Sequence, residues 1–72
     1  MTVKLFATLR EGRFAMDTLE LQSGATVDGV IRHLSISGKE AALILLNSRH
    51  ATLSTELADG DTLAIFPPVG GG

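Results

Sequence analysis

The chain has 72 residues, of which 44% are hydrophobic, and carries a formal net charge of −2 with no cysteine. This length provides for one small domain, and the apolar content is sufficient for a core. The missing cysteines exclude disulfides, thiolate metal ligands and a thiol nucleophile. Trp and Tyr are also absent and the six basic residues are spread singly, so we expect no nucleic-acid partner.

Neither a targeting segment nor a membrane span is expected. The first residues, Met1–Lys4, lack the apolar stretch of a signal peptide, and no apolar stretch in the chain is long enough to cross a bilayer. We therefore expect a cytoplasmic protein that does not bind a membrane.

The first two elements are predicted to form an antiparallel hairpin. Apolar residues alternate with other side chains over residues 3–10, as in a strand with one buried face. A turn follows at Glu11-Gly12-Arg13, and residues 14–21 form an irregular second strand. The apolar positions of the first strand are Val3, Leu5, Ala7 and Leu9.

A short helix is predicted next. Its apolar stripe has the spacing i, i+3, i+4 and i+7, and Thr26 is suited to the N-cap. Asp28 lies in the first turn, where the helix dipole favours a negative charge, and Gly38 marks the stop after a frayed end. The stripe consists of Val27, Val30, Ile31 and Leu34.

The remaining residues are predicted to supply three strands. The apolar run 41–46 is ambiguous by periodicity, but its length and the following Asn47-Ser48 turn favour a strand. A brief edge segment is expected near residues 51–53, with His50 still in the preceding turn. Asp59-Gly60 then turns the chain into a last strand over residues 62–66.

This order of elements predicts an α+β fold. One main helix covers one face of a mixed sheet of four to five strands, with the first and last strands side by side in the centre. That is the ubiquitin-like β-grasp topology. We expect residues 1–68 to form this domain and residues 69–72 to form a flexible C-terminal glycine tail.

The tail is the candidate reactive segment. Pro67 and Pro68 end sheet pairing because proline cannot donate a backbone hydrogen bond, and they stiffen the base of the tail. The three glycines that follow Val69 have no side chain and can enter a narrow channel of another protein. The pattern indicates that chemistry is done on the carboxylate of Gly72.

Four segments carry a resemblance to a known family. They are the opening strand Val3–Glu11, the pair Leu46-Asn47, the turn Leu57–Leu63 and the tail Phe66–Gly72. Together they resemble the ubiquitin-like sulfur carriers of the MoaD/ThiS family, and the Phe-Pro-Pro-Val tail is most similar to molybdopterin synthase small subunits. The segment before Asn47 is shorter than in those subunits, and position 70 is glycine.

The resemblance implies that the protein is a co-substrate and not an enzyme. An adenylyltransferase similar to ubiquitin-activating enzymes (MoeB/ThiF-like) would use ATP and Mg²⁺ to adenylate Gly72. Sulfur from a persulfide donor would then produce a thiocarboxylate, which is passed to a sulfur-accepting synthase subunit (MoaE-like or ThiG-like) for molybdopterin or tungstopterin synthesis. No cofactor would be bound permanently.

Other functions stay open on the sequence alone. The sulfur could instead serve thiamine, cysteine or tRNA thiolation. The chain could be a ubiquitin-like modifier conjugated through Gly72 to lysines, or an interaction module with an inert tail.

A partner-binding patch is predicted on the sheet face away from the helix. If Val3, Leu5, Leu63 and Ile65 face the helix, alternation places Phe6 and Phe66 on the opposite face. We expect Ile44 or Leu46 beside them. The predicted partner-binding residues are Phe6, Phe66, Pro67, Pro68, Val69, Gly70 and Gly71.

No catalytic or metal-binding role is predicted for the other polar residues. His33 and His50 lie in unrelated segments without cysteine, so no metal site or acid–base role is expected of them. Asp59 and Asp61 are interpreted as turn residues and not as a catalytic carboxylate pair. Arg10 and Arg49 are expected to be surface charges, with Arg10 available to an acidic partner.

Overall fold

A five-stranded mixed sheet and one α-helix make up the computed structural model, which describes residues 1–68. The helix, α1, is Val27–His33, and a 3-10 helix lies at Ala7–Arg10. The sheet order is β2-β1-β5-β3-β4; β1 and β5 are parallel and the other neighbours are antiparallel. The α+β prediction of a β-grasp fold is confirmed, including the central pair. The strands are β1 (Thr2–Leu5), β2 (Met16–Thr18), β3 (Leu43–Leu46), β4 (Arg49–His50) and β5 (Thr62–Phe66).

The predicted first strand is too long. β1 ends at Leu5, and Ala7 adopts a left-handed φ of 53° that turns the chain into the 3-10 helix. Leu9 returns to the core and is only 1% exposed. Alternation predicted the burial of Leu9 but could not distinguish a continuing strand from a tight helical turn. The hairpin itself is confirmed, because β2 pairs antiparallel with β1.

Helix α1 is short, and its N-terminus is capped from two directions. The Thr26 hydroxyl accepts a hydrogen bond from the Gly29 amide at 3.3 Å, as predicted for an N-cap. The loop before β5 satisfies two further amides: Val27 donates to the Thr55 carbonyl and Asp28 to the Leu53 carbonyl. These contacts replace the partners that a helix start otherwise lacks.

The core lies between α1 and one face of the central strands. Four sheet residues are fully buried there, and the helix contributes Val27, Val30 and Ile31 to the same cluster. Burial of this apolar surface is the main stabilising term of so small a domain. The four sheet residues are Val3, Leu5, Leu63 and Ile65.

The second hairpin is tighter than predicted. Asn47 and Ser48 both have positive φ, 51° and 69°, which is the two-residue turn that joins twisted antiparallel strands directly. β4 therefore begins at Arg49, two residues before the predicted edge segment, and His50 lies in this strand instead of the turn. Ala51 still donates to the Ile44 carbonyl at 3.0 Å, and the chain leaves β3 after it, so the predicted edge segment exists but lies about two residues earlier than predicted.

Candidate partner-binding face

The sheet face opposite α1 is apolar at its centre. Leu63 and Ile65 point toward the helix, so Ala64 and Phe66 point to the other face because side chains alternate along a strand. The register of β3 with β5 sets Leu43 opposite Phe66 and Leu45 opposite Ala64. We call this surface the open face; it comprises Phe6, Leu43, Leu45, Ala64 and Phe66.

The predicted neighbours of the two phenylalanines were wrong. Ile44 pairs with Ile65 and is only 7% exposed, and Leu46 pairs with Leu63 and packs against the core. The run 41–46 is apolar on both faces, so its periodicity could not reveal which residues point to the helix. The pairing of β3 with β5 determines which residues face the helix. Leu43, which is 36% exposed, lies beside Phe66, where Ile44 was predicted to lie.

Phe6 and Phe66 lie at the end of the open face that is nearest to Pro67. Their rings are stacked with centroids 4.1 Å apart and planes inclined by 9°. Both side chains are half-buried. The Arg10 guanidinium carbon lies 5.8 Å from the Phe6 ring centroid, within cation–π range. Stacking of this kind holds two aromatic rings in one arrangement on an otherwise exposed surface.

A groove lies beside this aromatic pair at the end of β5. Pro67 and Pro68 line it together with Ala7 and Ala42 and with residues of the open face. The structure therefore brings together four of the predicted partner-binding residues: Phe6, Phe66, Pro67 and Pro68. The predicted positions Val69, Gly70, Gly71 and Gly72 lie outside the described residues.

Within residues 1–68, the strand positions that point to the open face include Lys4, opposite Ala64, and no acidic side chain, and the Arg10 guanidinium lies over the Phe6 ring. The acidic residue of β2, Asp17, lies opposite Val3 and so belongs to the other side of the sheet. A surface with an apolar centre and basic neighbours complements a partner surface that is apolar with acidic neighbours.

The Asp-Gly-Asp turn has a structural role. Asp61 accepts hydrogen bonds from the Asn47 amide group at 2.9 Å and from the Ala58 backbone at 2.8 Å. Asn47 also accepts from the Thr62 amide, so the β3–β4 turn is joined to the start of β5. The bond from Asn47, followed by that from Ala58, lowers the pKa of Asp61. Asp61 is thus committed to the turn, as predicted, and Gly60 adopts the required positive φ of 87°.

The two histidines lie apart and exposed, His33 at the end of α1 and His50 in β4. Among residues 1–68, no group of three or more His, Cys, Asp or Glu side chains could hold a metal ion. Nor does this part of the chain contain a helix long and apolar enough to cross a membrane.

Two arginines have contacts that the sequence did not reveal. Arg13 donates to the carbonyls of Leu34 at 3.0 Å and Ser35 at 3.0 Å, which ties the first hairpin to the end of α1. Arg10 donates to the Leu5 carbonyl at 2.9 Å. Neither contact follows from residue spacing, because the Arg10 contact depends on the 3-10 helix and the Arg13 contacts depend on how the hairpin packs beside α1.

The fold is ubiquitin-like: it is a β-grasp domain whose helix covers one face of the sheet. The other face is open and apolar beside the C-terminal end of β5. A sequence model of the ThiS family matches residues 3–72. The chain therefore belongs to the ThiS family of sulfur carriers, and the resemblance to MoaD/ThiS proteins is confirmed. Proteins of this family carry sulfur and are not catalysts, as the resemblance implied.

Individual relatives agree with this assignment. The chain is 33% identical to the molybdopterin synthase sulfur carrier subunit of Haemophilus influenzae, over 100% of this chain and 99% of that protein. The small archaeal modifier protein 1 of Haloferax volcanii has a similar structure, with a TM-score of 0.78 and 28% identity over 94% of this chain and 95% of that one. A complex of subunits 1 and 2 of the molybdopterin-converting factor from Helicobacter pylori contains a chain with a TM-score of 0.58 and 26% identity, covering 99% and 96% of the two chains.

Proposed function

We propose that this protein carries sulfur on Gly72 for the synthesis of the molybdopterin or tungstopterin cofactor. The observation that carries the proposal is the position of the Phe6–Phe66 pair. The pair belongs to the open face and lies at the end of β5, directly before Pro67 and Pro68. A partner that binds the open face therefore also receives the tail. Membership in the ThiS family and the similarity to the Haemophilus influenzae carrier support this function.

The chemistry begins with activation, because a carboxylate is a poor electrophile. The Gly72 carboxylate attacks the α-phosphorus of ATP on an adenylyltransferase that uses Mg²⁺, and pyrophosphate leaves. The terminal sulfur of a persulfide then attacks the acyl-adenylate and AMP leaves, which produces an acyl persulfide. A second thiol then attacks the donor protein's sulfur in this S–S bond, forms a disulfide with it and releases the thiocarboxylate. Since the chain has no cysteine, the persulfide and the thiol belong to partner proteins.

Two partners share the open face at different times in this scheme. The activating enzyme binds first, and a sulfur-accepting synthase subunit binds the thiocarboxylated form. The complex of the two converting-factor subunits from Helicobacter pylori supports a partner of the second kind. Four residues beyond Pro68 can extend by about 13 Å, far enough to reach a recessed active site.

A ubiquitin-like modifier is the second candidate function. The small archaeal modifier protein of Haloferax volcanii has the same fold and favours it. In that case the activated Gly72 would be attacked by a lysine amine, and AMP would leave without any sulfur transfer. Carriers for thiamine, cysteine or tRNA thiolation use the same activation and differ only in the acceptor.

Two leucines test the role of the open face with matched changes. Leu43 is 36% exposed on the open face, and Leu53 is 42% exposed in the loop that caps α1. In an ATP–pyrophosphate exchange assay with a MoeB-like activating enzyme, we expect Leu43→Lys to raise the KM for the carrier at least several-fold. Leu53→Lys is expected to behave as the wild type. Equal effects of both variants, or of neither, would contradict docking through the open face.

A further inference from the structure

Arg10 is held beside Leu5 and Phe6 by contacts within the chain. It is the last residue of the 3-10 helix, and its side chain reaches back to β1, where Nε donates to the Leu5 carbonyl at 2.9 Å. Its guanidinium lies over the Phe6 ring, with Cζ 5.8 Å from the centroid. A surface arginine that served only as a charge would need neither contact.

Phe6 transmits this restraint to the end of β5. Its backbone amide donates to the Ile65 carbonyl at 3.2 Å, and its ring stacks on Phe66 at 4.1 Å. On the other side, the Phe66 carbonyl accepts a hydrogen bond from the Ala42 amide at 3.0 Å. Pro67 has no amide hydrogen, so Phe66 is the last residue of β5 that ordinary strand pairing can restrain.

We propose that Arg10 is a positioning residue that holds Phe6 against Phe66 and thereby fixes the end of β5 directly before Pro67. The consequence for activation rests on the proposed function. An activating enzyme that binds the open face and acts on Gly72 works faster when the end of β5 is held in a fixed position on that face. Less conformational freedom is then lost when the enzyme and its protein substrate reach the reactive arrangement.

The competing role is an ionic contact between Arg10 and an acidic partner. Arg10→Lys separates the two roles because lysine keeps the positive charge but has neither the planar guanidinium nor an Nε–H in its stem. Arg49→Lys is the matched control. Arg49 is exposed in the edge strand β4, and within residues 1–68 its side chain makes no hydrogen bond or ion pair.

The first measurement uses the isolated protein and needs no partner. The chain has three phenylalanines, so selective ring labelling with ¹³C gives NMR signals for Phe6, Phe66 and Phe14 alone. We expect Arg10→Lys and Arg10→Ala to shift the Phe6 and Phe66 ring signals toward free-phenylalanine values, with the Phe14 signals unchanged. Phe14 packs against the core and reports whether the fold is intact. Unchanged Phe6 and Phe66 signals in both variants would overturn the proposal.

The second measurement separates binding from turnover in adenylate formation by the activating enzyme. We expect both Arg10 variants to lower kcat several-fold with little change in the Kd for the enzyme, and Arg49→Lys to change neither. If Arg10→Lys retains the wild-type kcat, or if Arg10→Ala changes only the Kd, Arg10 forms an ionic contact with the enzyme and the proposal is wrong. If the wild type forms no adenylate at all, the proposed function fails, while the NMR experiment still decides the positioning role.

Discussion

Asp61 joins the β3–β4 turn and the turn at Gly60 to the start of β5. The carboxylate oxygens of Asp61 accept hydrogen bonds from the Asn47 side chain and the Ala58 amide. The backbone carbonyl of Asp61 accepts one from the Thr2 amide at 2.9 Å. These bonds favour the ionised form and lower its pKa. Glu40 is similar: its pKa is lowered by hydrogen bonds from the backbone and side chain of Ser37.

This arrangement predicts how stability depends on pH. A carboxylate whose pKa is lower in the folded state stabilises the fold above the unfolded value of about 4, and that contribution is lost as pH falls through the folded pKa. In urea unfolding between pH 2 and pH 7, we expect Asp61→Asn to reduce the loss of stability on acidification. The slope that remains comes partly from Glu40.

Asn47→Gly is a second, independent variant. It leaves Asp61 titratable but removes the hydrogen bond that lowers the pKa of Asp61 most. Glycine also accepts the positive φ of this position. We expect the acid slope to fall here as well. An unchanged slope in both variants would show that the Asn47–Asp61 contact does not stabilise the fold.

At the scale of the elements, α1 is held by its cap more than by its own propensity. It has only seven residues, and Gly29 lies in its first turn. A Cβ on Gly29 would meet only the Thr26 hydroxyl oxygen, at 3.7 Å, an ordinary contact. We therefore expect Gly29→Ala to raise the free energy of unfolding by about 0.5–1 kcal/mol. Thr26→Ala should lower it by about 1 kcal/mol through loss of the cap. Thermal and urea denaturation check both, and a destabilising Gly29→Ala would contradict this description of the cap.

The elements also illustrate what local pattern can predict. The bounds of β5 and the Thr26 cap were predicted correctly, because a turn signal or a capping residue stands next to the apolar pattern. The ends of β1 and β4 were not. The turn at Ala7 uses a left-handed conformation at a residue that does not favour one, and the turn at Ser48 is decided by strand pairing.

In the whole molecule, one face of the sheet forms the core with α1, and the other face is open. Phe66 and Ile65 are neighbours in β5, but Ile65 is 0% exposed in the core and Phe66 belongs to the open face. We expect Phe66→Lys to retain the circular dichroism spectrum of the folded protein, to lose about 1–2 kcal/mol of stability, and to bind the activating enzyme weakly. Ile65→Lys should not fold, because it buries an unpaired charge. Unfolding of Phe66→Lys would place Phe66 in the core.

The candidate site was predictable only where residues are close in sequence or share a strand face. Phe6 and Phe66 followed from alternation, and Pro67 and Pro68 from their chemistry. Leu43 and Leu45 did not, because an apolar run buried on one face and exposed on the other has no period. Arg10 was predicted as a surface charge, and its hydrogen bond to Leu5 was not predicted because that bond depends on the 3-10 turn between the two residues.

The most direct test of sulfur carriage is the intact mass of the protein after incubation with its activating enzyme, ATP, Mg²⁺ and a persulfide donor. We expect the mass of the wild type to change by the replacement of one oxygen by sulfur, with the change confined to the C-terminal peptide that ends in Gly72. A chain lacking Gly72 should show no change and unfold at the same temperature as the wild type. Adducts on lysines of other proteins without any sulfur-bearing form would instead identify a modifier, and an unchanged wild-type mass would contradict sulfur carriage on Gly72.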